Sequence, residues 1–135
     1  MSRDDNIAAL STVVPIAQRR DWDRLDELIA PNVVDHDPAE GQPPGLEGVK
    51  WYWRAWAAAF PDFRSELVVL SADEDFVTLV IQHFGTHTGE FRGHAPTGRT
   101  FSIRTIQVTK FAGGLVVERW GATDELGLLR QVGLA

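Results

Sequence analysis

The chain is expected to fold as one α+β domain over residues 1–135: a cone-shaped barrel in which a strongly bent, mainly antiparallel sheet packs on three N-terminal helices. Three observations lead to this class. Apolar residues recur at helical spacing up to Phe60. The period changes to that of strands after Pro61 and Asp62, and no repeat, low-complexity tract or interdomain linker divides the sequence. Helices followed by strands indicate segregated layers, and a bent sheet covered on one side by helices leaves a cone that suggests a pocket.

The elements follow in order. Ile7, Leu10, Val14 and Ala17 mark a first helix, with Pro15 awkward for its middle. Asp21 is a possible N-cap for a second helix carrying Trp22, Leu25, Leu28 and Ile29, which Pro31 should stop. "NVVDHD" reads as a short strand and "PAEGQPPG" as a loop. "LEGVKWYWRAWAAAF" then forms a third helix whose stripe Val49, Trp53, Trp56, Phe60 steps by four, three and four. Four β-branched and aromatic segments complete the chain: "FRSELVVLSA", "FVTLVIQHFGTHTG", "RTFSIRTIQVTKF" and "LVVERWGA". Breaks at "DED", "HAPTG" and "AGG" separate them, and the last three should form an antiparallel meander.

Composition narrows the function classes. Thirteen basic against nineteen acidic residues give a formal net charge of −6, the wrong sign for a phosphate backbone unless the basic residues were concentrated, and they are scattered. No apolar run approaches the roughly 20 residues that cross a bilayer, and "MSRDDNIAAL" is too charged for a secretory signal. A soluble, cytoplasmic protein without nucleic-acid or membrane partners is expected. With no Cys, any metal would rest on His and carboxylates. His83 and His87 share a strand face, but four residues at ~3.3 Å set their Cα atoms about 13 Å apart, too far to grip one ion. No metal is expected at His83, His87 and His94, nor at His36 with Asp35 and Asp37.

The stretches "DHDPAEGQPPGLEGVKWYWRAWAAAFPDFRSELVVL" and "GTHTGEFRGHAPTGRTFSIRTIQVTKFAGGLVVERWGATDELGLLRQVG" resemble the SnoaL-like polyketide cyclase family of the nuclear transport factor 2-like superfamily. The resemblance runs from about residue 20 to the C-terminus. It is most specific in "GTHTGEF…PTGR" and "VVERWGATDELGLLRQVG". It implies the same cone-shaped α+β fold, and dimers paired through the outer face of the sheet. It also implies a small hydrophobic, polyketide-like ligand and a cofactor-free intramolecular aldol ring closure with one carboxylate as acid and base. By position in the motif that carboxylate corresponds to Asp124. The family's strand histidine would fall near Thr105 or Gln107, and neither is His.

The residues themselves leave several roles open. Asp124 is either the acid/base, with Trp120 beside it by strand parity and disfavouring its charge, or the N-cap of the helix "ELGLLRQ". An enolate needs a donor where its oxygen charge develops, and His83, Gln107 and Arg104 are the candidates. Gln107 and Arg104 have opposite parity, so one at most points inward; Gln107 is preferred, and Arg104 is otherwise a surface or interface charge. His83 is a pocket donor or a satisfied core histidine. Trp53, Trp56 and Phe60 are most simply core, with Trp53 and Phe60 kept as ligand contacts. Trp51, Tyr52 and His36 lie near the Pro/Gly loop and are candidates to line the mouth. The rival to the cyclase is a ligand-binding or dimerisation module of the same fold, or another cone-fold enzyme such as an isomerase, dehydratase or hydroxylase.

Overall fold

Strict alternation in the second half of the chain produces the sheet. In a computed structural model describing residues 2–135, strands β2 (Arg64–Ala72), β3 (Phe76–Thr86), β4 (Thr100–Ala112) and β5 (Leu115–Thr123) form an antiparallel meander. Strand β1 (Ile29–Asp35) adds to β5 in parallel, giving the order β1-β5-β4-β3-β2. Along β4 the buried residues are Phe101, Ile103, Thr105, Thr109 and Phe111, while Ser102, Arg104 and Ile106 are exposed, so the period of two sets an inner and an outer face. The sheet does not close: β1 and β2 are free edges, and helices complete the cone.

The helical half departs from expectation in detail. The first helix is two, α1 (Arg3–Leu10) and α2 (Val13–Arg19), broken at Ser11 and Thr12. Pro15 sits in the first turn of α2, where its missing N–H has no helical acceptor to lose. The second is only a 3-10 helix, Trp22–Glu27. Pro31 does not stop it but lies within β1, where an edge strand tolerates a residue that cannot donate. Helix α3 (Gly45–Ala59) forms as read, and α4 (Glu125–Gln131) follows β5. Among the described residues no helix is long and apolar enough to cross a membrane.

Two apolar clusters hold the layers together. One gathers Trp56, Phe60, Phe91, Phe101, Ile103 and Leu128; the other joins Leu25, Ile29, Val33, Val77, Leu79 and Phe111. Phe60 is fully buried, with ring centroids 4.7 Å from Phe101, 4.8 Å from Trp56 and 5.1 Å from Phe91. Lys50, buried on α3, pairs with Asp26 at 2.5 Å and ties that helix to the 3-10 turn. Since Phe60 fills the aromatic cluster, Phe60→Ala is expected to lower the unfolding free energy by about 3–5 kcal/mol in urea titrations.

Candidate functional site

The inner face of the sheet and α3 enclose a cavity of about 640 Å³. Its walls come from both apolar clusters: Val14, Val33, Val49, Leu79 and Val116 line it beside Tyr52, Trp53 and Trp56. The two middle strands turn polar side chains toward it: His83 from β3, and Thr105, Gln107 and Thr109 from β4. Gln107 faces inward, as its parity requires.

His83 is buried, and its Nδ1 lies 2.6 Å from Ser65 Oγ. Desolvation lowers its pKa from 6.5 to about 4, so the ring is neutral at physiological pH. Its edge meets Trp56, with centroids 5.7 Å apart. The other histidines of the stretch have separate tasks. His87 is fully buried and holds the following loop through Nδ1, 3.1 Å from Thr97 Oγ1, and His94 is exposed in that loop. Among the described residues no three metal-ligating side chains converge.

The polar end of the cavity was not legible in the sequence. Arg119 Nη1 lies 3.1 and 3.3 Å from the two oxygens of Asp35, whose Oδ2 also accepts from Gln42 Nε2 at 3.3 Å. Asp37 Oδ2 accepts from the Gly121 amide at 2.9 Å. Arg92 makes a two-pronged bond to Glu125 at 2.7 and 2.5 Å. All of these residues line the cavity. Tyr52 lies among them: burial, then the charge of Glu125, push its phenol above the ordinary value, while Arg119, Arg92 and a hydrogen bond with Thr123 act in the opposite direction. Thr123 Oγ1 is in turn 2.9 Å from Thr105 Oγ1. Sequence spacing hides the Asp35–Arg119 pair, which is 84 residues apart. Strand parity alone would have grouped Arg119, Gly121 and Thr123.

Asp124 stands at the rim. It is the N-cap of α4, its Oδ1 accepting from the Gly127 amide at 2.9 Å. The carboxylate fits because residue 127 has no side chain; a Cβ there would sit 2.2 Å from Oδ2. Asp124 is exposed, yet it lines the cavity, and Oδ2 has no hydrogen-bond partner among the described residues. Several expected contacts lie elsewhere. Trp120 and His36 are on the outer face, stacked with centroids 4.6 Å apart and planes 7° from parallel, and His36 Nε2 is 3.1 Å from Glu118. The parity argument that set Trp120 beside Asp124 fails because the strand ends at Thr123 and it is Arg119, Gly121 and Thr123 that face inward. Trp51 is exposed on the far side of α3, Arg104 is exposed on the outer face, and Phe60 is core without reaching the cavity. Tyr52 and Trp53 do line it.

A family model described as SnoaL-like polyketide cyclase matches residues 7–132. The chain belongs to this family. Aklanonic acid methyl ester cyclase AcmA from Streptomyces galilaeus is 28% identical over 107 residues, covering 79% of this chain and 72% of that protein. Among solved structures, TsrD from Streptomyces laurentii superposes with a TM-score of 0.89 at 25% identity, covering 100% of this chain and 99% of that one. IdmH from Streptomyces antibioticus, a proposed polyketide cyclase, gives 0.80 at 31% identity over 95% of this chain and 98% of its own. AclR from Streptomyces galilaeus, a proposed hydroxylase, gives 0.83 at 29%, over 99% of this chain and 88% of its own.

Within this SnoaL-like cone neutral polar groups line β3 and β4, and the carboxylates come from β1, the loop after it and the start of α4. His83 also gives the fold a pH signature. The unfolded chain binds a proton that the folded His83 refuses between its ordinary pKa of 6.5 and about 4, so stability falls as pH drops through that window. The loss attributable to this residue is on the order of 3 kcal/mol. It is measured as the difference between wild type and His83→Gln in urea unfolding from pH 7 to 4, and the ring carbon shifts should remain those of neutral imidazole at pH 5.5.

Proposed function

We propose that the protein is a cofactor-free polyketide (ester) cyclase, closing a ring by intramolecular aldol addition with Asp124 as acid and base. The observation that carries this reading is an apolar cavity with neutral donors inside it and a carboxylate at its rim that has one oxygen free. The volume falls within the usual range for small-molecule sites, roughly 300–1,000 Å³. Asp124 Oδ2 takes the proton from the carbon beside a carbonyl, and the enolate oxygen is met by donors on the sheet. The enolate carbon then attacks a second carbonyl of the same molecule, forming the C–C bond. The alkoxide so produced receives the proton from Asp124, which is left as it began. A bound ring system covers Asp124 and removes its water, which favours transfer of the proton to the carboxylate.

AcmA is named for aklanonic acid methyl ester, and that ester is the first compound to test here. The capping bond of Asp124 favours a second reading, a binding module in which this carboxylate only holds α4. Asn caps a helix as well as Asp does, so Asp124→Asn removes the base and keeps the helix. Cyclisation followed by chromatography, since the product has the same mass as the substrate, is expected to fall by about 10²-fold or more in Asp124→Asn with an unchanged melting temperature. Binding of the ester without turnover by wild type would support the module instead.

The same reading includes a homodimer through the outer face of the sheet. Val69, Val80, Ile106 and Ala122 stand opposite one another in successive strands, and Val108 faces Trp120 in the adjacent row. Ile106 and Val69 are half exposed, a contiguous apolar patch of the kind that monomers seldom leave uncovered. Ile106→Lys is expected to convert a dimer into a monomer in light scattering at micromolar concentration, with the fold retained.

A further inference from the structure

One donor of the cavity, Arg119, is held by linked features around it: a glycine under its guanidinium, a carboxylate on its edge, and a loop carboxylate bonded to the glycine. Arg119 is on the inner face of β5, and its guanidinium lies along the strand over Gly121. A Cβ on residue 121 would stand 2.6 Å from Arg119 Nη2 and 3.0 Å from Cζ, so a side chain there would push the guanidinium out of this position. A glycine inside a strand is unfavourable and commonly marks a close approach. Asp35 holds the other side of the guanidinium through Nη1, and Asp35 is itself fixed by Gln42 and by the Asp37 amide at 3.0 Å. Asp37 in turn binds the amide of Gly121, which closes the support around this position.

Only Nη1 is used by this network. The hydrogens on Nη2 and Nε have no acceptor among the described residues, although the side chain is only 27% exposed. A guanidinium has five donors in a fixed plane, and one that is pinned on one edge presents the remainder without further loss of freedom. Tyr52 lines the same cavity, within reach of the Arg119 charge and of Thr123, the residue before Asp124.

We infer that Arg119, laid flat over Gly121 and braced by Asp35, is the donor that receives the oxygen charge of the bound ligand, with Tyr52 beside it. This rests on the reading of the cavity as an acid–base site and assigns its electrophilic half, which local sequence cues gave to His83, Gln107 or Arg104. Arg104 is outside, His83 is two strands away on β3, and Gln107, opposite Gly121 across the strands, is a neutral amide beside the guanidinium. The exposed rim carboxylates Asp37, Glu40 and Asp124 are screened by water, whereas the donors of Arg119 act at contact distance on whatever fills the cavity. The role is that of a catalytic residue touching substrate oxygen, and Asp35 and Gly121 are positioning residues.

The test uses 4-nitro-1-naphthol, whose naphthol and naphtholate forms differ in colour, as a probe for an enolate. Affinities of both forms are measured by absorbance and by quenching of cavity tryptophan fluorescence across pH, for wild type, Arg119→Gln and Gly121→Ala. Gly121→Ala displaces only the end of a flexible side chain, so it should fold even if Arg119→Gln does not, and it keeps the charge while moving it. Wild type is expected to favour naphtholate over naphthol at least tenfold more than either variant does, with the affinity for neutral naphthol altered less than about twofold. Equal preference in wild type and both variants, with binding retained, would overturn the inference and leave the cavity reading intact. Failure of wild type to bind either form would overturn the cavity reading and the inference with it.

Discussion

The packing of Trp56 on α3 and of Phe60, at that helix's C-cap, against Phe101 of β4 is the contact on which the rest of the structure depends. It fixes the helix across the inner face of the sheet at one end, while Lys50 and Asp26 fix it near the other. Space remains between the two apolar clusters beside the helix, and that space is the cavity. The ring of Trp56 belongs to both: it is core on its Phe60 side and wall on its His83 side. Losing such a contact would cost stability and would also remove the surface against which a ligand is held.

The same enclosure sorts the polar groups. Neutral side chains pair with one another, His83 with Ser65 and Thr105 with Thr123, while Gln107 faces the cavity from β4. Charged groups occupy the open end, where each guanidinium has a carboxylate, Arg119 with Asp35 and Arg92 with Glu125. Burial of an unpaired charge would cost several kcal/mol, so pairing is the condition for having arginines in the wall at all. Pairing one edge of Arg119 still leaves N–H groups for a ligand. Asp124 obeys a similar division, with one oxygen committed to α4 and the other without a partner.

Much of this fold is legible in the sequence. The four long strands and α3 follow from periodicity, because alternation and helical stripes are set by which face is buried. Pro15 and Pro31 misled for one reason: a proline is harmful only where its N–H is needed, and neither the first turn of α2 nor an edge strand needs it. The site was harder. Gln107 and the outward Arg104 obeyed parity, and Tyr52 and Trp53 followed from their helix. Trp120 and His36 did not, since they stack on each other outside the sheet. Asp35 and Arg119 lie on the first and last strands of the chain and meet only because β1 pairs in parallel with β5, a long-range event with no local signal. The family motif directed attention to the end of β5, while the capping bond of Asp124 was the alternative that the local sequence already contained.

Whether Asp124 moves a proton in an occupied cavity is the centre of this reading. The most direct measurement is hydrogen–deuterium exchange at the enolisable carbon of 2-tetralone, a small apolar ring ketone, followed by NMR in deuterated buffer with wild type and Asp124→Asn. Exchange well above the buffer rate with wild type, lost in Asp124→Asn while affinity for the ketone is kept, is the expected result. Equal exchange in the two proteins, or a bound ketone that exchanges no faster than in buffer, would contradict a catalytic Asp124 and leave it as the cap of α4.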